Sequence, residues 1–169
     1  SKSTWEVAEL YNGADNEIKM ELPSYIIEAI ENEGEGYKEK EINRIKSKLK
    51  LNPQTNRYDY DGDLDRDVLN ILFVSEDKDG FTINFGKVTG DFNCSALDLT
   101  SLKGSPQEVG GNFYCSYNYL TSLEGAPQEV GRNFNCNYNK LTSLEGAPQT
   151  VGGDFKCQSN QLTSLEGAP

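Results

Sequence analysis

Histidine is missing from this 169-residue chain, and with it the side chain that most often serves as general base or metal ligand near neutral pH. Basic charge is scarce as well, with 16 Lys and Arg against 27 Asp and Glu, a net charge of −11. A surface that tracks nucleic-acid phosphates needs a basic stripe, and none is visible, so no direct nucleic-acid binding is expected. No apolar run approaches the ~20 residues that cross a bilayer. No basic start followed by an apolar run marks a secretory leader either. The expectation is a protein that does not engage a membrane. Phosphate-cradling patterns such as G-x-x-x-x-G-K-[ST] or G-x-G-x-x-G do not occur, and no nucleophile sits in a recognised motif with a base. Neither catalysis nor a cofactor is therefore expected.

What is present is periodic. Cys94, Cys115, Cys136 and Cys157 recur every 21 residues, as do Phe92, Phe113, Phe134 and Phe155, and Leu102, Leu123, Leu144 and Leu165. The unit reads F-x-C-x-x-N-x-L-T-S-L-E-G-A-P-Q-x-V-G-G-x. A fixed period in this range marks a solenoid, in which each unit is too small to bury its own apolar face and must stack on its neighbours. In Phe113-Tyr114-Cys115 the outer residues point one way and Tyr114 the other, which predicts one short parallel strand per unit. Leu120 and Leu123 supply the inner wall of a return segment. Gly125, Pro127 and Gly131 let the chain turn back without a helix.

The core F-x-C-x-x-N-x-L resembles the L-x-L-x-x-N-x-L of leucine-rich repeats, with Phe and Cys in place of the strand leucines. The resemblance implies that Asn118, Asn139 and Asn160 form an asparagine ladder bonding neighbouring backbone groups along the turn. The first unit departs, with Leu97 at the asparagine position, so a less regular turn is expected there. The wording LTSLEGAPQEVG also resembles repeat proteins encoded by large bacteriophages and some bacteria.

Upstream the frame persists. Tyr60-Asp61-Gly62-Asp63-Leu64 aligns with Val88-Thr89-Gly90-Asp91-Phe92, and Leu69, Ile71 and Val74 fall where Leu97, Leu99 and Leu102 sit. Seven extra residues around Ser75–Gly80 read as a surface insertion. Arg66 takes the cysteine position, where a buried charge is costly without a partner. Residues 1–59 lack the repeat. There Thr4–Tyr11 could begin a helix, Pro23-Ser24 opens a second, and Lys38 to Leu51 reads as a third, with Ile42, Ile45 and Leu49 on one face and Asn52-Pro53 as its end. The expected class is α+β: a short parallel-β, leucine-rich-repeat-like solenoid with an N-terminal helical cap. Its divisions are a cap over 1–59, a divergent capping repeat with an insertion over 60–89, and four 21-residue repeats over 90–169.

Two constellations suggest metals. The cysteine column fails on geometry, since strands ~4.8 Å apart set the sulfurs in a line and not a tetrahedron. Parallel side chains also disfavour disulfides, leaving a core ladder of reduced thiols, which suits a reducing cytoplasm. Asp59, Asp61, Asp63, Asp65 and Asp67 alternate through an expected strand and would share one face, but the EF-hand order of Asp, Gly and Glu is not met. No metal site is assigned.

The outward strand face remains. Tyr114, Asn135 and Lys156 project from it, flanked by Asn112, Ser116, Tyr117, Asn133, Asn137, Tyr138, Asp154 and Gln158. Tyr and Asn combine contact area with adaptable hydrogen bonding, and solenoids use such faces for partners. The expected function is therefore binding of another protein, in the manner of a phage-encoded binder or inhibitor of a host or defence protein. In that case the host cytoplasm is its place. The alternatives are a structural or adhesive component of a virion or cell surface, and an acidic mimic of nucleic acid. The C-terminal edge, with no polar capping unit in view, is a candidate surface for a homodimer.

Overall fold

The computed structural model describes residues 9–12, 16–19 and 35–169. From residue 85 onward the chain winds as a β-solenoid of about three turns with a 21-residue spacing. Each unit carries two short strands and not one. In chain order the strands are β5 (Phe85–Val88), β6 (Phe92–Asn93), β7 (Glu108–Val109), β8 (Phe113–Tyr114), β9 (Glu129–Val130), β10 (Phe134–Asn135), β11 (Thr150–Val151) and β12 (Phe155–Lys156). The even members β6, β8, β10 and β12 form one parallel sheet, in register from Phe92 to Phe113, Phe134 and Phe155. The odd members form a second parallel sheet through Val88, Val109, Val130 and Val151. The second strand lies in the Gln-x-Val segment that periodicity alone assigned to a turn. Two residues are too few to show alternation, so only the pairing between units reveals it.

The core lies between the sheets. Phe92, Phe113 and Phe134 are buried and stack with Phe155 at ring-centroid separations of 5.6, 5.3 and 5.2 Å and nearly parallel planes. Leu99, Leu120 and Leu141 and the row Leu102, Leu123 and Leu144 close the far side. Fully burying each such side chain contributes roughly 1.5–3 kcal/mol relative to exposure. The asparagine ladder expected from the resemblance is present. Asn118 Nδ2 donates to Cys94 O (2.9 Å) and Cys115 O (3.1 Å), while its Oδ1 accepts from Leu97 N and Leu99 N at 3.0 Å. Asn139 and Asn160 repeat the pattern one and two units on. In the turn of the first unit Ala96 and Asp98 both have positive φ (53° and 58°), whereas the matching turn of the next unit has Tyr117 alone (56°), the irregularity expected where Leu97 replaces asparagine.

Towards the N-terminus the expectations need correction. Residues 9–11, expected within the start of a helix, belong to a hairpin of β1 (Glu9–Asn12) and β2 (Asn16–Lys19). The helix expected after Pro23-Ser24 lies outside the described residues. Helix α1 (Glu35–Lys48) matches the third expectation and buries Ile42 and Ile45, but it ends at Lys48. Leu49–Asn52 is strand β3, paired antiparallel with β4 (Arg57–Tyr60) across a turn at Pro53–Asn56. Strand β4 joins β5 in parallel, so the β3–β4 hairpin extends the second sheet on its N-terminal side. Backbone pairing thus covers that sheet's edge, and helix packing alone does not.

The alignment of the divergent unit holds, since Tyr60 pairs with Val88 and Leu64 bridges Phe92. Its return segment is helix α2 (Arg66–Leu72), which starts where the Asp65 side chain accepts from Val68 N at 3.0 Å. The helix moves Arg66 outward, so its guanidinium is half exposed and 3.6 Å from Asp67 instead of filling a cysteine site. The insertion is not wholly superficial. Beyond its turn, Phe81 and Ile83 enter the core, and Phe81 meets Phe85 and Phe92 edge to face.

Candidate protein-binding surface

The outward face divides into residues that hold the solenoid together and residues that face solvent. A second ladder runs beside β6, β8, β10 and β12. Asp63 Oδ1 accepts from Asp91 N, Asp91 Oδ1 from Asn112 N, Asn112 Oδ1 from Asn133 N, and Asn133 Oδ1 from Asp154 N, at 2.6–3.0 Å. Each short acceptor side chain therefore reaches the backbone of the next unit. Asn112 is buried in this ladder, so it is not a partner-facing residue. Ser116 is buried too, its Oγ 3.1 Å from Ser95 Oγ. Periodicity could not separate these from the exposed positions, because a polar residue recurs there either way.

Others are half spent. Asn135 Oδ1 accepts from Asn137 N at 3.0 Å, and Asn137 Oδ1 accepts from Gln158 N at 2.7 Å. Tyr114, Asn133, Asn135, Asn137 and Lys156 are half-buried, whereas Asp154 and Gln158 are exposed. Lys156 Nζ lies 3.7 Å from Asp154.

The free surface concentrates at the turn after β8 and β10. Tyr117 and Tyr138 are 59% and 49% exposed, and their rings stack at 4.5 Å with planes 9° apart. Both backbones are in the left-handed region (φ 56° and 55°), where a bulky side chain is an outlier. Beside them Tyr119 is 48% exposed, with Lys140 Nζ 4.9 Å from its ring centroid. Tyr119 and Lys140 were missed by sequence reasoning, which followed strand alternation and stopped at the asparagine. A usable signal was there: this repeat position runs Asp98, Tyr119, Lys140, Gln161, and variation within a strict repeat marks a side chain with no fixed packing role.

The aspartate series does not form one strand face. Asp59 Oδ1 accepts from Lys87 N (2.7 Å), Asp61 Oδ1 from Thr89 Oγ1 (2.7 Å), Asp63 Oδ1 from Asp91 N, and Asp65 caps α2. Asp59, Asp61 and Asp63 are each tied to a different backbone or hydroxyl group of the next unit, Asp65 to the backbone of its own helix, and Asp67 lies within that helix. Among the described residues no three His, Cys, Asp or Glu side chains gather as a metal site. The cysteines are free thiols. Cys94, Cys115 and Cys136 are buried, while Cys157 is partly exposed. Burial raises the Cys94 and Cys115 thiols well above their ordinary range and pushes Cys136 up to about 12. No described helix is long and apolar enough to cross a membrane.

No family model matches this chain, and no curated protein or solved structure matches it either.

Proposed function

We propose that this chain is a non-catalytic protein-interaction module that engages its partner through the tyrosine-bearing turn. The observation that carries the reading is the contiguous exposure of Tyr117, Tyr138 and Tyr119 on an otherwise polar outer surface. Tyrosine supplies large contact area at low entropic cost and is enriched where proteins meet. Holding Tyr117 and Tyr138 in the left-handed region costs about 1 kcal/mol each, which Asn or Gly would not incur. Ala96 and Ser159 share this φ, so the strain belongs to the repeat turn, and it is the choice of a bulky aromatic at its two middle positions that argues for use of the rings. The resemblance of LTSLEGAPQEVG to phage and bacterial repeats would make the partner a host or defence protein and the outcome inhibition. The nucleic-acid mimic ranks lower, because the regular carboxylates Asp59, Asp61, Asp63 and Asp91 are engaged within the fold.

The test is affinity capture from an extract of the source cells with the wild-type chain, the double variant Tyr117→Asn/Tyr138→Asn, and a control at Glu129 on the other sheet. A defined protein retained by wild type and control but lost with the double variant is expected. Capture indifferent to the tyrosines would overturn the reading, and capture of particle components would favour the structural alternative.

A further inference from the structure

The tyrosine stack has two ends that differ in charge. Ala96, Tyr117, Tyr138 and Ser159 occupy one repeat position, and all four have φ of 53–56°. The backbone amides of Ala96, Tyr117 and Tyr138 also bond alike, each donating to the carbonyl one residue before the matching position of the next unit (Ser116, Asn137, Gln158; 3.0–3.1 Å). The residues on either side of the ring pair are small. The Tyr117 face away from Tyr138 therefore looks out over Ala96, and the Tyr138 face away from Tyr117 looks out over Ser159. At each end the column steps down from a tyrosine to a small residue one strand spacing, ~4.8 Å, away.

Charge distinguishes the two steps. Asp98 stands two residues beyond Ala96, exposed, with no ion pair among the described residues. At the Ser159 end the neighbouring positions carry Lys140, Lys156 and Gln161. The turn already contains the relevant contact within the chain, since Lys140 lies over the ring of Tyr119. A guanidinium is planar, stacks on aromatic faces and pairs with carboxylates, which a compact ammonium does less well. A nucleobase would share the stacking but meet the negative charge of Asp98 and of the whole chain.

We infer that the Ala96 step is a seat for an arginine side chain of a partner protein, stacked on the outer face of Tyr117 and paired with Asp98. This deepens the protein-interaction reading and rests on it. It selects a partner whose docking segment is basic and contains arginine.

The experiment titrates the whole chain with an acetylated, amidated Gly-Arg-Gly-Arg-Gly peptide and its lysine counterpart, followed by the Ala96 methyl and Tyr117 ring resonances. The arginine peptide should shift both and bind at least about threefold more tightly than the lysine peptide, the scale of an exposed cation–π contact. Asp98→Asn should weaken the arginine peptide by a similar factor at low salt, and Tyr117→Asn should abolish the shifts while the backbone spectrum keeps its folded dispersion. Gln128→Ala, beside the other sheet, should leave the titration unchanged. Equal response to the two peptides, or shifts that survive Tyr117→Asn, would overturn the inference. If the tyrosine-dependent capture above succeeds while the peptides fail here, the arginine seat alone falls.

Discussion

At the scale of single residues, the buried thiols make the fold sensitive to alkali. Burial raises the Cys94, Cys115 and Cys136 thiols above the ordinary value of 9.0. Below that pH both folded and unfolded chains carry neutral thiols, and stability is unaffected. As pH rises further the unfolded chain ionises first and binds fewer protons, so stability falls by about 1.4 kcal/mol per pH unit for each thiol. The loss continues until the folded thiols themselves ionise, near 12 for Cys136. Denaturant titrations between pH 8 and 10.5 should show this decline, to which the Tyr58 and Tyr60 hydroxyls, also raised by burial, add at its upper end, and Cys115→Ala should reduce its slope by up to about a third, whatever its effect at neutral pH. Native labelling with a thiol reagent should reach Cys157 first, because it alone of the four is partly exposed. The ladder asparagines are equally local. Asn118→Ala strands the Cys94 carbonyl and the Leu97 and Leu99 amides inside the turn, while Cys115 O keeps its bond from Asn139, and should cost about 2–4 kcal/mol. Asn160→Ala should cost less, since Asn160 is only half-buried and water can replace it. Urea unfolding of both variants measures the difference.

At the scale of elements, the two-residue strands persist because the turns between them are fixed by close backbone contact. A methyl group at Gly131 would overlap Gly110 O of the preceding unit, and that obstacle is backbone, which cannot swing aside as a flexible side chain can. At Gly125 the obstacle is doubled by φ +88° and by Leu102 O, 2.7 Å from an added Cβ. Gly131→Ala should therefore destabilise by about 1–3 kcal/mol, as other overpacked sites do, and Gly125→Ala by at least as much. Thermal melts of the two variants beside an alanine change at exposed Gln128 supply the check, and Gln128→Ala should be near neutral. Tyr117→Asn works the other way. Relief of left-handed strain and loss of the ring stack oppose each other, so stability should stay within about 1 kcal/mol of wild type.

At the scale of the whole molecule, a solenoid is stabilised by contacts between neighbouring units, and protection should follow the number of neighbours. Phe113, Cys115, Leu120 and Leu123 are fully enclosed. Phe155, Cys157 and Leu162 are only partly buried, and Leu165 is 67% exposed. Hydrogen exchange should therefore be fastest among the repeats in residues 153–169 and slowest around 113–144. Repeating the measurement at rising protein concentration tests the homodimer proposal, which requires that the outer unit gain protection as solution mass doubles. Uniform protection along a monomer would contradict the neighbour-by-neighbour account.

Sequence alone determined the period, the inward rows of Phe, Cys and Leu and the alignment of Tyr60–Leu64 with Val88–Phe92, because repetition of one residue type at one spacing leaves few other ways to bury it; the asparagine ladder was what the leucine-rich-repeat resemblance implied. It could not separate polar residues that bind the next unit from those that face water. Asn112 and Tyr117 look alike as outward positions, yet one is sealed in a ladder and the other exposed, a difference made by the backbone of the neighbouring unit. Tertiary structure alone also decided the second sheet, whose strands are too short for alternation, and the β3–β4 hairpin, where pairing with β4 overrode the helical pattern of Leu49–Leu51. The charge difference between the ends of the tyrosine stack arose the same way: Ala96, Asp98 and Tyr117 share a surface only because the units stack in register.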